Sequence, residues 1–151
     1  MNIRKDLLPF LMLFLASCQG RPARIPIIET ALSDTNSVYY TDFTAYPAFR
    51  NDLPIGIFDS GTGGLTVMEA IIASRLLEGE NYIYFGDQAN MPYGNYPAQG
   101  KTGFLRELIM QDAFFLLGRQ IKILVVACNT ATAYGLEDIR AYLEDSSSGI
   151  K

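Results

Sequence analysis

Hydrophobic and polar positions change rhythm at Pro54. Beyond it, short unbroken apolar runs alternate with longer stretches of helical period. "PIGIFD" (54–59) reads as a buried strand. "SGTGG" is a glycine turn that leads into a helix over about 65–77, where Leu65, Met68, Ile72 and Leu76 recur at helical spacing. "YIYFGD" (82–87) is a second strand. The loop "QANMPYGNYPAQG" follows, then a helix near 102–117 with Leu105, Ile109 and Leu116 on one face. "KILVVAC" (122–128) is a third strand, and a helix over about 131–143 follows it, aligned by Leu136, Ile139 and Leu143. Strands alternating with helices at this spacing predict an α/β domain: a parallel sheet with helices on both faces, joined by right-handed crossovers. In such sheets the binding crevice lies outside the carboxyl ends of the strands.

Before Pro54 the pattern differs. "MNIRKDLLPFLMLFLASCQG" opens with Arg4 and Lys5 and continues as an apolar run from Leu7 to Ala16. Ten helical residues span roughly 15 Å, about half a bilayer core, so the run fits the apolar core of a signal peptide and is too short for a membrane span. Its close, "LASC", resembles the bacterial lipobox, which implies cleavage before Cys18 and lipidation of that cysteine. An ordinary signal with an incidental cysteine, or an uncleaved apolar tail, are the plainer readings. From 19 to 53 no period of 2 or 3.6 is sustained, and Pro22, Pro26, Pro47 and the polar "SDTNS" intervene. The expected organisation is therefore a signal peptide at 1–17, a lipidated Cys18 with a tether to 53 (a short ordered piece around "VYYTDF" excepted), and a domain over 54–151. Such a protein resides in the cell envelope as a membrane-anchored, exported lipoprotein.

Composition narrows the chemistry. The 151 residues suffice for one modest domain, and 49% hydrophobic with 19% charged residues fits a globular core. The formal charge of −4, with no basic stripe, argues against nucleic acid as a partner. Removing residues 1–17 takes away two positive charges and one negative, so attachment to anionic lipid has to come from acyl chains. Histidine is absent. That excludes Ser-His-Asp triads, Cys-His dyads and nearly every common zinc site within this chain, and no metal site is expected. The two cysteines, Cys18 and Cys128, sit in unlike surroundings, and a disulfide between them is not expected.

The strand ends carry the candidate chemistry. The first delivers Asp59 and Ser60, the second Asp87 with the loop bearing Tyr93 and Gly94, the third Cys128, Asn129 and Thr130. Each has a structural alternative: Asp59 and Asn129 as helix caps, Tyr93 as turn packing, Cys128 as an inert buried thiol. Their convergence on one rim favours function. "DSGTGG" can turn backbone N–H groups outward at a helix N-terminus, which suits an anion. It is neither a Walker A loop nor GxGxxG, since Thr66 stands at the third glycine position, so a carboxylate fits as readily as a phosphate. Cys128 precedes a helix N-terminus, a position that favours thiolate. Without histidine as proton shuttle, a thiolate serves better as a base than as a hydrolytic nucleophile.

Three motifs in order, "IGIFDSGTGGLTV", "YFGDQANMPYG" and "VVACNTATA", resemble those of the cofactor-independent aspartate/glutamate racemase family, in its glutamate-racemase-like form. The likeness covers about 54–143, the first of that family's two α/β domains. It implies interconversion of L- and D-glutamate for peptidoglycan precursors, by thiol/thiolate proton transfer at Cα. Carried over by motif, Cys128 is one acid/base residue, Asp59, Ser60, Tyr93 and Gly94 contact the substrate, and Asn129 and Thr130 hold it beside the thiol. The substrate is a small amino acid, glutamate or aspartate. No pyridoxal cofactor is implied, and a homodimer is conceivable for the full-length form.

The likeness also has departures. The family's second domain, with its second cysteine in a Gly-Cys-Thr-His type motif, has no counterpart in these residues, and "DSSSGIK" (145–151) stands where another strand is expected. A truncated domain, incomplete at its C-terminus, is the expectation, with no meaningful racemase turnover from this polypeptide alone. An export signal is also unexpected for an enzyme of cytosolic precursor supply. The rival reading is a non-catalytic envelope lipoprotein that binds small carboxylates on the same glycine turn.

Overall fold

A computed structural model describes residues 23–47 and 50–146. Residues 1–17, expected to be a signal peptide, Cys18 and the tail 147–151 lie outside the described residues. The elements run α1 (Pro26–Ser33), a 3-10 turn (Phe43–Ala45), β1 (Ile55–Asp59), α2 (Leu65–Ala73), β2 (Tyr82–Gly86), α3 (Asn95–Ala98), α4 (Thr102–Leu117), β3 (Ile123–Val126) and α5 (Asn129–Asp145).

The three strands form a parallel sheet in the order β2-β1-β3. From β1 the chain crosses to β2 on one side, then passes back over β1 to reach β3. With the right-handed crossovers that parallel strands favour, these two opposite steps put α2 on one face and α4 on the other. The register aligns Ile57 with Tyr84 and Val125, and Phe58 with Phe85 and Val126. Side chains alternate along each strand. Ile55, Ile57 and Asp59 therefore share one face with Tyr82, Tyr84, Ile123 and Val125. Phe58 shares the other with Ile83, Phe85, Leu124 and Val126.

That second face carries the main core. Leu105, Ile109, Met110, Ala113, Leu116 and Leu117 of α4 are fully buried, and Ile139 and Tyr142 of α5 join them. Contact between α4 and α5 depends on Gly135: a Cβ there would lie 2.4 Å from Ile109 Cγ2. Arg106 spans the same helices, with Nε and Nη2 each 2.7 Å from an Asp138 carboxylate oxygen. This two-point pairing is the strong geometry for arginine and carboxylate.

The segment read as a tether differs from that expectation. Within 23–47, α1 buries Ile27, Ile28 and Ala31, and Ile25 and Tyr46 enter the same core. Tyr46 gives its hydroxyl to the Leu117 carbonyl, and Arg106 Nη2 donates to Ala23 O at 3.0 Å. Pro26 stands in the first turn of α1, where its missing N–H and fixed φ cost nothing. Eight residues are too few for a period to emerge against the flanking prolines, which is why the helix is invisible in the pattern.

Two boundaries also shift. Helix α2 stops at Ala73, because Arg75 takes a left-handed φ of 56° and turns the chain. Helix α5 begins at Asn129, earlier than its apolar spacing indicates, because Cys128 caps it.

Candidate functional site

The sheet's hydrogen-bond ladder continues past the regular strands and ties their carboxyl ends together. Asp87 N–H donates to Asp59 O at 3.0 Å, and Ala127 N–H donates to Phe58 O at 2.8 Å. The residues beyond each strand end are therefore held at one rim.

At the tip of β1, Asp59 is spent on the glycine turn. Its Oδ2 accepts from Gly61 N–H at 3.2 Å and Gly64 N–H at 2.9 Å. Glycine at 64 is required by packing, since a Cβ there would lie 2.7 Å from Asp59 Cβ. Tyr84 closes the turn from β2, with its hydroxyl 2.9 Å from Gly61 O and 3.4 Å from Asp59 Oδ2. Burial raises the Tyr84 phenol, and the Asp59 charge, its bond to Asp59 and Cys128 add to the effect, so the hydroxyl stays protonated as a donor. Asp59 does not cap α2, whose N-cap is Gly64 without a side-chain cap bond; its carboxylate instead shapes the turn and leaves Ser60 at its edge.

Cys128 lies two residues past β3 and caps α5. Its Sγ accepts from Ala131 N–H at 3.4 Å, and the sulfur is 3.3 Å from Ser60 Oγ. A thiol donates to that serine oxygen; in a thiolate the same contact runs the other way, with the serine hydroxyl donating. Asn129 and Thr130 occupy the first helical positions, where backbone N–H groups lack intrahelical acceptors and the helix dipole is positive. Cys128 is 5% exposed and belongs to the buried core cluster, with the Ser60 hydroxyl beside its sulfur.

The loop after β2 completes the rim. Gly94 lies next to Thr130: a Cβ at 94 would be 3.9 Å from Thr130 Oγ1. Met91 lies over Gly61 at a comparable spacing of 3.6 Å. Tyr93 turns the other way. Its side chain is 1% exposed, packs near Phe58 and Tyr96, and sets its hydroxyl between the Asp87 and Asp112 carboxyl groups. The groups that Tyr93 and Gly94 can offer a ligand are thus main chain, and the Tyr93 ring serves as the loop's anchor.

The structure brings Ser60, Gly94, Cys128 and Thr130 to one rim, with Asn129 beside them, and sets Asp59 and the Tyr93 side chain behind it in supporting roles. Three supports do not stand out from sequence: Tyr84, Asn90 and Asp112. Tyr84 has a signal, since its alternation in "YIYFGD" puts it on the Asp59 face. Asp112 has one too, as an acid among the apolar residues of the helix over 102–117. A hollow of about 510 Å³ lined by Ile72, Arg75, Leu77, Glu80 and Tyr82 opens at the opposite end of the sheet. That is the amino end of the strands, where parallel sheets do not place their ligand crevices.

Chemically the rim offers amide donors at a helix start, and a sulfur within reach of a hydroxyl. That set suits a carboxylate-bearing ligand and a proton transfer. Comparison with known proteins bears on which ligand. No family model matches the chain. The glutamate racemase of Halothermothrix orenii is 49% identical over 86 residues, covering 57% of this chain and 32% of that protein. That of Enterococcus faecalis is 50% identical over 93 residues, 62% of this chain and 32% of that protein. Over about 60% of its length, the chain is homologous to glutamate racemases. The glutamate racemase of Thermus thermophilus, whose crystal structure was solved in complex with β-chloro-D-alanine, matches with a TM-score of 0.53 at 45% identity, over 63% of this chain and 34% of that one. The α/β fold is thus shared with a solved glutamate racemase. The chain spans about a third of the length of the glutamate racemases it matches.

Proposed function

We propose that this chain carries one half of a cofactor-independent amino-acid racemase site, of the glutamate racemase type, in which Cys128 moves the α-proton. The observation that carries the reading is the contact of Cys128 Sγ with Ser60 Oγ at 3.3 Å, made where the β1 turn, the Gly94 loop and the α5 N-terminus converge. The substrate's α-carboxylate would take the N–H groups of Asn129 and Thr130 at the start of α5, beside the Ser60 hydroxyl. There the fixed dipoles oppose the negative charge that develops as Cα loses its proton. The Cys128 thiolate would accept that proton and become a thiol, with the electron pair left delocalised into the carboxylate. Inversion needs a proton delivered from the opposite face. Among the described residues Cys128 is the only cysteine, so these residues serve one face.

The test is α-proton exchange in deuterium oxide on the whole chain, followed by mass spectrometry of glutamate. The wild-type chain should label Cα of one enantiomer without loss of optical rotation, and Cys128→Ala should abolish labelling. Persistent labelling in Cys128→Ala would remove the thiol from the reaction. Binding without any labelling would favour the carboxylate-binding rival.

The envelope location is part of the same proposal. It is supported by the basic start, the apolar run and "LASC" at Cys18. Metabolic labelling with a fatty-acid analogue should mark the wild-type chain and not Cys18→Ser. Equal labelling of both would sink the anchor.

A further inference from the structure

Counting protons around Tyr93 exposes a conflict. Its hydroxyl reaches two carboxylates, Asp87 Oδ2 at 2.7 Å and Asp112 Oδ2. A phenol carries one proton and donates once. With both carboxylates ionised, that single proton serves one of the two contacts, and at the other a carboxylate oxygen faces a phenol lone pair at hydrogen-bond distance; all three residues are 6% exposed or less. A buried carboxylate oxygen held against a lone pair at that distance is costly. One additional proton resolves it. Asp87 also accepts from Asn90, by its N–H at 3.3 Å and by Nδ2 at 2.8 and 3.0 Å, so Asp87 is the better seat for the negative charge. The extra proton belongs on Asp112.

We infer that Asp112 is a positioning residue for the candidate site: as a neutral acid it donates to Tyr93, Tyr93 donates to Asp87, and this relay pins the 87–94 loop to α4 with Gly94 against Thr130. The functional meaning rests on the reading of the Cys128 rim as an amino-acid site.

The surroundings agree. Burial first, and then the charge of Asp87, push Asp112 up to about 7, against the bond from Tyr93. Burial and the same two carboxylates push the Tyr93 phenol far above its ordinary value, so it remains a donor. Other titratable groups on the neighbouring elements have partners of their own. Tyr96 of α3 gives its hydroxyl to Asn90 O at 3.0 Å, Asp59 of β1 is held by its glycine turn, and Asp138 of α5 is held by Arg106. When Asp112 ionises, two carboxylates share one phenol proton, and one of the two hydrogen bonds that tie the loop to α4 through this relay is lost.

Asp112→Asn separates this role from simple packing, because its amide N–H can donate to Tyr93 at every pH. Two readouts on the full chain are decisive. In infrared difference spectra of wild type against Asp112→Asn at pH 5.5, the wild type should show a protonated-carboxyl band that fades as pH passes about 7. In peptide-resolved alkylation of Cys128, the ratio of wild-type to Asp112→Asn rates cancels the thiol's own titration. That ratio should stay near one in acid and rise several-fold in mild alkali, as the wild-type loop comes loose. A flat ratio, or no carboxyl band, overturns the inference. Asp112→Ala should be fast even in acid; if it fails to fold, the wild-type and Asp112→Asn pair still decides. Neither readout involves glutamate. A chain that passes here yet exchanges no α-proton keeps the relay and loses the racemase reading.

Discussion

Helices α2 and α4 flank the same central strand on opposite faces, and they bury themselves very differently. Helix α4 hides nine of its 16 residues, whereas α2 hides none of its 9 and leaves Leu65 and Ile72 46% and 52% exposed. Helix α4 is held by side chains along its whole length: α5 through Gly135, α1 at its flank, and the sheet through Phe58 and Phe85. Helix α2 is held at its first turn by Asp59 and the glycines. Stability is therefore concentrated on the α4 face. The α2 face supplies the turn that presents Ser60 to Cys128.

The contrast can be broken most severely from α4. Ile109→Ala leaves a cavity against Gly135 and should cost about 2–5 kcal/mol in chemical denaturation. A loss below about 1 kcal/mol would mean that α4 does not carry the core as described.

A second, smaller effect is pH-dependent. The Asp112 carboxyl is raised from 3.8 to about 7 in the folded chain, so between those values the folded state holds a proton that the unfolded state has released. The stability Asp112 contributes is complete in acid, falls as pH rises and levels off above about 7. The slope is about 1.4 kcal/mol per pH unit, or about 2 kcal/mol between pH 5 and pH 6.5. Denaturant titrations should show that fall in the wild type relative to Asp112→Asn, and parallel curves would contradict the assignment of the proton.

The smallest effect should come from α2. Ile72→Gln replaces a half-exposed side chain and should change stability by no more than about 0.5 kcal/mol. A loss comparable to that of Ile109→Ala would mean that α2 is packed as tightly as α4.

Much of this is legible in the sequence, for identifiable reasons. The strand runs and the span of α4 carry strong period signals, and the register follows once β1 is recognised as the central strand. The rim is legible because chemistry sits at strand ends, and "FDSGTGG", "MPYG" and "ACNT" mark three of them. Helix α1 is not legible: it is too short and lies among prolines, and its stability comes from docking on α4. Tyr93 reads as a ligand contact in its motif, yet its ring points into the core. A motif states which residue is present but not which way its side chain turns. Asp112 cannot be assigned from spacing at all, because its meaning depends on a phenol 19 positions earlier in the chain.

The central claim is that three strand tips make a single amino-acid site. Backbone amide chemical shifts of the isotopically labelled full chain, titrated with L- and D-glutamate, test it most directly. The account predicts perturbations gathered at Ser60–Gly64, Gly94 and Asn129–Thr130, reduced by Cys128→Ala at most locally. Perturbations centred on the hollow near Ile72 and Tyr82, with the rim unmoved, would contradict it.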